Sequence, residues 1–286
     1  MVNLVLGTAT FGTGYGIANK GLKLGGDSVS DILATAQALG INDFDSAPAY
    51  GAAERMLGEY LDHERKPRVS SKISIESSKS VELMLASVKS TLQRTRVSKL
   101  ANLYLHDPDA LSNSGARETI TGLRELIEMN LVDRVGVSVY SLDSLLKAKE
   151  LFPQLSVFQV PENICDRRLL NSKELMDLHH EGNHMVVRSV FLQGLLLMPP
   201  NEIVLSLGEA RRVILQLRAL ALSCNVSVLN LCLGYSRLIP WANGIVVGVT
   251  SAEQLREIIE ADKALPEDWR SKIDSLPENI LDSRRW

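Results

Sequence analysis

The 286-residue sequence is poor in cysteine and has no excess of basic residues. It contains three cysteines, Cys165, Cys224 and Cys232, and no Cys-x-x-Cys pair. This odd, sparse set argues against a disulfide framework and is typical of a reducing compartment. The formal net charge is −3. That balance excludes a broad basic surface, so we predict no nucleic-acid partner.

The sequence also lacks the marks of a secreted or membrane protein. No lysine or arginine precedes Lys20, so the charged start of a signal peptide is missing. No apolar run reaches the length of a membrane span, because polar residues interrupt the most apolar stretches, 186–198 and 213–234. We therefore predict a cytoplasmic protein without a membrane partner, and the sequence leaves its oligomeric state open.

What the sequence does have is a regular alternation of short apolar runs and longer amphipathic segments. Eight runs read as strands: Leu4–Gly7, Asn42–Asp45, Arg68–Ile73, Ala101–His106, Asp133–Val139, Val157–Val160, Met185–Val190 and Ile245–Val249. The segments between them read as helices: 28–39, 51–62, 79–95, 115–130, 142–151, 172–182, 207–236 (two helices) and 251–261.

Eight strand–helix units predict a closed parallel barrel of the (β/α)₈ type, in one domain spanning residues 1–286. A doubly wound open sheet is the alternative. Ser28 is the expected cap of the first helix, Gly40 its expected positive-φ end, and Ser251 the expected start of the last helix. A short C-terminal tail is expected from about residue 270, and its end, residues 281–286, is expected to dock loosely.

Two short motifs do not meet the structural requirements of the binding sites they resemble. The segment 12–17, GTGYGI, lacks the third glycine of a dinucleotide-binding fingerprint and opens no helix, so we interpret it as a flexible loop. The segment 180–184, HEGNH, matches the zinc-protease pattern H-E-x-x-H. That pattern requires both histidines on one continuous helix, and the Gly-Asn pair predicts that the helix stops between them.

Polar residues close three consecutive predicted strands. Asp45 ends the second, Lys72 lies near the end of the third, and His106 ends the fourth, while Tyr50 follows Asp45 by five positions. In a (β/α)₈ barrel these strand ends meet at the catalytic face.

Together these four side chains suit carbonyl reduction. A lysine ammonium beside a tyrosine favours the phenolate and makes the hydroxyl a better acid, and a carboxylate would hold the lysine charged. Hydride would have to come from a cofactor. Taken singly, each residue also has an ordinary structural role, such as a helix cap for Asp45 or packing for Tyr50.

The same residues resemble the aldo-keto reductase family. The segment 43–51, DFDSAPAYG, is similar to the family's D-x-A/S-x-x-Y-G signature, Ser71-Lys72 to its S/T-K pair, and the segment 103–108, LYLHDP, to its L-H-x-P strand end. The resemblance implies that Asp45, Tyr50, Lys72 and His106 form a catalytic tetrad. Tyr50 would be the general acid, and His106 would orient the carbonyl.

The resemblance extends to cofactor residues. The segment 135–138, VGVS, is similar to the family's I-G-V-S-N, with Val139 in place of the asparagine. It implies that Ser138 and Gln159 hold the nicotinamide carboxamide. Arg188-Ser189 stands where many members place an aromatic ring against the nicotinamide, a role that a planar guanidinium can also fill. Thr8, after the first strand, joins this cofactor set.

The segment 247–251, VGVTS, resembles the family's site for the adenosine 2′-phosphate, with Thr250 and Ser251 at a helix N-terminus. Gly248 and Gln254 stand where NADPH-specific members often carry lysine and arginine, and Arg256 is the candidate substitute cation. The resemblance favours NADPH, with NADH as the alternative. It implies an enzyme that reduces an aldehyde, ketone or sugar carbonyl.

Two other functions stay open at the level of sequence. A binding or regulatory protein of the same fold with little catalysis is favoured by Val139 and Arg188. A metal-dependent lyase or hydrolase would use His106 with Asp45 or Asp107. No strand supplies the clusters of histidines or carboxylates that metal sites need, so we predict no metal.

Overall fold

A computed structural model describes residues 2–19, 21–261 and 265–286. Eight parallel strands form one closed barrel in chain order, and β1 pairs with β8 through Leu4 opposite Ile245. The (β/α)₈ prediction is confirmed, because an open sheet would leave β1 and β8 unpaired. The strands are β1 Asn3–Gly7, β2 Asp43–Asp45, β3 Arg68–Ile73, β4 Leu100–Leu105, β5 Val132–Ser138, β6 Val157–Pro161, β7 His184–Arg188 and β8 Gly244–Gly248.

Helices between the strands form the outer layer, and every helix expected from the sequence is present. Four short helices were not predicted: α1, α4, α12 and α13. The helices are α1 Ala9–Gly12, α2 Gly26–Ala38, α3 Ala53–Tyr60, α4 Ile75–Ser78, α5 Val81–Thr95, α6 Ala116–Glu128, α7 Leu142–Leu151, α8 Lys173–His180, α9 Ala210–Ser223, α10 Val228–Ser236, α11 Ala252–Glu260, α12 Trp269–Lys272 and α13 Glu278–Leu281.

The predicted helix boundaries were right at two points and wrong at one. Gly40 has φ +81° just after α2, and the Ser251 hydroxyl caps α11 by accepting from the amide of Gln254 at 3.3 Å. Ser28 is not the cap of α2, which starts at Gly26 with the extended Gly25 before it. The acidic Asp27 in the first turn favours this earlier start.

A layer of side chains closes the inside of the barrel. Tyr104, Val157 and Val186 are buried together there, with Val246 packed against them. Because the layer is buried and mostly apolar, the barrel is no pore, and polar chemistry is left to the carboxyl ends of the strands.

The C-terminal segment is packed onto the barrel as far as Leu281, and the loose docking of residues 281–286 stays a prediction. Trp269, Ile273, Ile280 and Leu281 are all buried. The amide of Leu276 donates to the carbonyl of Cys165 at 2.9 Å, which ties the segment to the loop after β6. Apolar side chains recurring through residues 269–281 supply the driving force for this docking.

No single helix among the described residues is long and apolar enough to cross a membrane. Helices α9 and α10 meet that test of length and composition only as a pair, with a 97° bend between them.

A buried carboxylate joins α3 to β3 and α5. Glu54 is 1% exposed and accepts from the Ser71 hydroxyl at 2.7 Å and the Thr91 hydroxyl at 3.2 Å. Arg94 completes the group with two bonds to Glu54, at 2.8 and 2.5 Å. Because α3 begins shortly after Tyr50, this group also fixes the helix that follows the Tyr50 turn.

We expect Glu54→Gln to lower the free energy of unfolding by about 2–3 kcal/mol, since the half-buried Arg94 guanidinium loses its countercharge. Asp274→Asn is the matched control, because the Arg212–Asp274 pair is exposed on both sides and solvent screens it, so its loss should lower the free energy of unfolding much less. Denaturant unfolding of both variants measures the difference. Equal losses in the free energy of unfolding would mean that the buried Glu54 group stabilises the fold no more than the exposed pair does.

Candidate active site

Three of the four candidate catalytic side chains lie in direct contact at the mouth of the barrel. The Lys72 ammonium lies 2.5 Å from Oδ1 of Asp45 and donates to the carbonyl of Ser46 at 3.2 Å. The same nitrogen is 5.2 Å from the centre of the Tyr50 ring, which lies in a 3₁₀ turn just after β2. His106 stands at the end of β4 on the rim.

Asp45 keeps Lys72 charged although both are buried. Burial alone would lower the pKa of Lys72, but the charge of Asp45 and the contact with Tyr50 outweigh it, so the pKa lies above its usual value. Lys72 is therefore a fixed positive charge beside the Tyr50 ring at every physiological pH.

His106 is exposed at the rim, yet its pKa is lowered from the usual 6.5. Desolvation by the surrounding loops is the first cause, and the charge of Lys72 is the second. The imidazole is thus neutral at neutral pH and carries one N–H that can donate to a carbonyl oxygen.

Close backbone contact holds the Tyr50 turn in place. A Cβ on Gly12 would lie 1.9 Å from the carbonyl oxygen of Tyr50. Gly51, with φ +61°, faces the carbonyl oxygen of Gly12 in turn, where a Cβ would approach to 2.6 Å. The loop after β1 and the turn after β2 can lie this close only because both positions are glycine.

A polar chain links Asp45 to the neighbouring strands. Oδ2 of Asp45 accepts from the side-chain amide of Gln159 at 2.9 Å, and the Gln159 oxygen accepts from the Ser138 hydroxyl at 3.2 Å. The Thr8 hydroxyl donates to the carbonyl of Asp45 at 3.0 Å. These predicted cofactor residues thus lie beside the predicted catalytic ones.

A cavity of about 810 Å³ runs from this polar chain across the mouth toward the N-terminus of α11. Its wall contains most of the predicted cofactor residues, and His106 and Ser138 lie on a neighbouring cavity instead. The predicted residues that line the large cavity are Thr8, Asp45, Tyr50, Gln159, Arg188, Ser189, Gly248, Thr250 and Gln254.

Two predicted residues at the α11 end do not line this cavity. Ser251 is engaged as the α11 cap. Arg256 points to the neighbouring helix α2, where it donates to the Thr35 hydroxyl at 3.3 Å. The predicted substitute cation is therefore turned away from the cavity, because α2 and α11 pack side by side and Thr35 accepts its N–H.

Arg188 is stacked on an aromatic ring of this chain. Its guanidinium lies 4.0 Å from the centre of the Tyr140 ring and donates to the carbonyl of Val139 at 3.0 Å and the Ser189 hydroxyl at 3.1 Å. Arg188 has no carboxylate partner among the ion pairs of the described residues. It therefore adds a fixed positive charge to the cavity wall.

The cavity suits an extended dinucleotide at both ends. Near β2 the Gln159 side chain lines the cavity and can bond a carboxamide, with the Ser138 hydroxyl bonded to it from the neighbouring cavity, and at the other end Thr250 presents a hydroxyl at the N-terminus of α11. Between them, Gly248 leaves open space, with no atom within 4 Å of an added Cβ. The donor set therefore fits a nicotinamide dinucleotide.

The sequence pattern missed Tyr15, which the structure places in the cavity wall. Within its loop, the Asn19 side chain donates to the Tyr15 carbonyl at 2.7 Å. Desolvation, and next the neighbouring Tyr50, raise the pKa of Tyr15 to about 12. Tyr15 is therefore a poor proton donor. An aromatic residue between glycines was the signal that could have pointed to it.

The segment 180–184 forms no metal site. Helix α8 ends at His180, Gly182 has φ +88°, and His184 starts β7, so the two histidines lie on different elements. No group of histidines, cysteines or carboxylates in the part of the chain that the structure describes could hold a metal ion.

The model of the Aldo/keto reductase family matches residues 3–278. L-galactose dehydrogenase of Arabidopsis thaliana is 26% identical over 266 residues, covering 87% of this chain and 83% of that protein. An uncharacterized oxidoreductase of Mycobacterium tuberculosis is 28% identical over 148 residues, covering 50% of this chain and 44% of that protein.

Solved structures share the fold. A thermostable aldo-keto reductase in complex with the inhibitor epalrestat has a TM-score of 0.71 at 20% identity, covering 99% of this chain and 94% of that one. A structure from Pseudomonas aeruginosa, described as an aldo-keto reductase, has a TM-score of 0.64 at 20% identity and covers 90% and 88%.

Burial of His184 predicts a pH-dependent loss of stability. Desolvation, with Arg134 and Arg68 nearby, lowers its pKa to about 4, so between pH 6.5 and 4 the unfolded chain binds a proton that the folded chain does not. The free energy of unfolding should fall over that range by up to about 3 kcal/mol.

His184→Gln should flatten this part of the pH curve, and His180→Gln, at the exposed end of α8, is the matched control. Urea unfolding at intervals between pH 4 and 7 makes the measurement. Parallel curves for the wild type and His184→Gln would contradict the assignment.

Proposed function

The chain belongs to the aldo-keto reductase family, and from that premise we propose that it is an NAD(P)H-dependent oxidoreductase that reduces an aldehyde, ketone or sugar carbonyl to an alcohol, with Tyr50 as general acid. The observation that carries the proposal is the buried Lys72–Asp45 pair against the Tyr50 ring. Family membership supports the oxidoreductase class, and the geometry supports the role of each residue.

Tyr50 gives its proton to the oxygen of the carbonyl as that oxygen becomes an alkoxide. The Lys72 ammonium stabilises the phenolate that this step leaves, and it stays charged because Asp45 lies 2.5 Å away. The Gln159 amide donates to Oδ2 of Asp45, and the Thr8 hydroxyl donates to the Asp45 carbonyl, so Asp45 is held in place beside Lys72.

His106 orients the substrate. Its lowered pKa keeps the ring neutral, so it donates one N–H to the carbonyl oxygen and does not compete with Tyr50 as an acid. A reduced nicotinamide dinucleotide in the large cavity would supply the hydride. Gln159, with Ser138 bonded to it, would bind its carboxamide. Thr8, Arg188 and Ser189 would line its path, and Thr250 with the α11 N-terminus would bind its adenosine end.

A binding or regulatory role without turnover is the second candidate. Arg188 stands where an aromatic ring stacks in many members, and Gln159 already bonds Asp45. Against it stands the complete set of Asp45, Tyr50, Lys72 and His106. The proposed cytoplasmic location stays a prediction.

We expect Tyr50→Phe to lower kcat by at least about 10²-fold while cofactor binding is unchanged, since only the acidic proton is lost. Steady-state reduction of a panel of carbonyl compounds measures kcat, and fluorescence titration with NADPH measures binding. Tyr15→Phe is the matched control in the same cavity and should retain the acid step. Turnover by Tyr50→Phe at a near wild-type rate would contradict the proposed role.

The residues around the adenosine end of the cofactor site determine whether NADPH or NADH is preferred. The resemblance favours NADPH, with Arg256 as the candidate cation for its 2′-phosphate. Arg256 is bonded to Thr35, whereas the acidic Glu257 lines the cavity near Gln254. We therefore propose that the chain binds both cofactors. Gly248→Lys should tighten NADPH binding at least about tenfold with little effect on NADH, because it adds a cation where space is open.

Arg256→Ala is the control for that variant and should change the affinity of neither cofactor. Calorimetric titration with NADPH and with NADH measures the two affinities for each variant. A selective loss of NADPH affinity in Arg256→Ala would contradict the assignment and would restore Arg256 as the 2′-phosphate ligand.

A further inference from the structure

Arg188 lies at the carboxyl end of β7, where its side chain faces the mouth of the barrel. Val186, two residues earlier, belongs to the buried layer inside the barrel. Because side chains alternate along a strand, Arg188 faces the same way, one level above that layer. It lines the large cavity together with Gln159 and Tyr50. Its guanidinium is therefore part of the wall at the end of the cavity assigned above to the nicotinamide.

Three contacts hold this guanidinium in one place. It lies 4.0 Å from the centre of the Tyr140 ring, and it donates to the Val139 carbonyl at 3.0 Å and to the Ser189 hydroxyl at 3.1 Å. The side-chain amide of Asn163 donates to the carbonyl of Ser189 at 3.1 Å, which fixes the same turn. All of these partners are neutral, so they position the charge of the guanidinium without cancelling it.

Arg188 differs in this respect from the lysine at the same end of the cavity. The Lys72 ammonium lies 2.5 Å from Oδ1 of Asp45, so the charges of these two groups cancel. No ion pair among the described residues includes Arg188. A guanidinium does not lose its proton at physiological pH. The wall beside Tyr50 therefore keeps the positive charge of Arg188 uncompensated.

Tyr140 lies between this guanidinium and a second one. Arg284, in the C-terminal segment, is 3.8 Å from the centre of the Tyr140 ring. The charge of Arg284 is compensated, because Asp282 accepts from its guanidinium at 2.7 and 2.8 Å. The two arginines therefore contact the same ring, but of the two only Arg284 has a carboxylate partner in the part of the chain that the structure describes.

The charge of Arg188 acts across the mouth of the barrel. Desolvation and then the charge of Lys72 lower the pKa of His106, and the charge of Arg188 adds to that lowering. Desolvation raises the pKa of Tyr15 to about 12, and the charge of Arg188 opposes that rise. His106 follows β4 and Tyr15 lies in the loop after β1. A group bound between these elements therefore experiences the positive potential of Arg188.

The two redox states of a nicotinamide cofactor differ by one charge. The reduced ring is neutral. Transfer of its hydride to a carbonyl carbon, with a proton from Tyr50 to the carbonyl oxygen, leaves the ring with one positive charge. The adenosine and phosphate groups are the same in both states. A fixed cation at this end of the cavity therefore repels the oxidised state and has little effect on the binding of the neutral ring.

We propose that Arg188 is a specificity-determining residue whose charge makes the site bind the reduced nicotinamide cofactor more tightly than the oxidised form. This inference rests on the cofactor site proposed above. It goes further, because it assigns selection between two redox states to one side chain. As a consequence, the oxidised cofactor dissociates readily after turnover and inhibits carbonyl reduction only weakly.

Calorimetric titration with NADPH, NADP⁺, NADH and NAD⁺ tests the proposal without turnover. The quantity to compare is the ratio of the dissociation constants of the oxidised and reduced forms of one cofactor, in which the contacts of the adenosine and phosphate groups cancel. In the wild type this ratio should be at least about ten, because two unit charges within about 8 Å, at an effective dielectric constant of about 20, repel by more than that factor in affinity.

Three variants assign the effect to the charge of Arg188. Arg188→Gln removes the charge and should lower the ratio at least about tenfold, chiefly by tightening the binding of NADP⁺ and NAD⁺. Arg188→Lys retains the charge and should keep the ratio within about threefold of the wild type. Arg284→Gln is the matched control and should also keep the ratio, because Asp282 already compensates that charge. A variant that folds poorly loses affinity for both forms alike, so its ratio is unaffected.

The outcomes separate this inference from the proposed function. An unchanged ratio in Arg188→Gln, including an equal loss of affinity for both forms, would mean that Arg188 only supports the structure of the wall, and would overturn the inference while the cofactor site stands. Equal changes of the ratio in Arg188→Gln and Arg188→Lys would also overturn it, because the effect would not follow the charge. Absence of binding of all four compounds to the wild type would overturn both proposals.

Discussion

The buried ion pair between Lys72 and Asp45 is the constraint on which the mouth of the barrel depends. An ammonium that is 4% exposed is stable only beside a countercharge with further hydrogen bonds. Asp45 supplies the charge, and its second oxygen accepts from Gln159. Thr8 bonds the backbone at the same point. The ion pair and the hydrogen bonds that compensate the charge of Lys72 therefore link β1, β2, β3 and β6.

Two cavities open beside that linked group. The large cavity leads from Asp45 and Tyr50 toward β8 and α11, and the second leads from His106 toward the C-terminal segment. The Arg188–Tyr140–Arg284 stack lies between them. In the proposed reaction the cofactor lies in the large cavity, and the carbonyl is reduced between Tyr50 and His106.

Much of this site was predictable because strand ends are local features. Asp45, Lys72 and His106 follow apolar runs whose order sets their place at the mouth, and the Tyr50 spacing matched a known signature. The direction of long side chains was not predictable. Arg256 follows the predicted anion site along α11, yet its guanidinium turns to the neighbouring helix and bonds Thr35, 221 residues away in sequence.

The sequence by itself determined the barrel, the positions of its eight strands and the set of polar residues at their ends. Hydrophobic periodicity and strand order are local properties of the sequence, so they can be recognised without the tertiary structure. The tertiary structure alone decided which of these residues are in contact. It also decided that the C-terminal segment packs against the barrel as far as Leu281, and that Tyr140 lies between two arginines. Those contacts join residues distant in sequence, and they depend on packing and charge compensation in three dimensions, which no local pattern encodes.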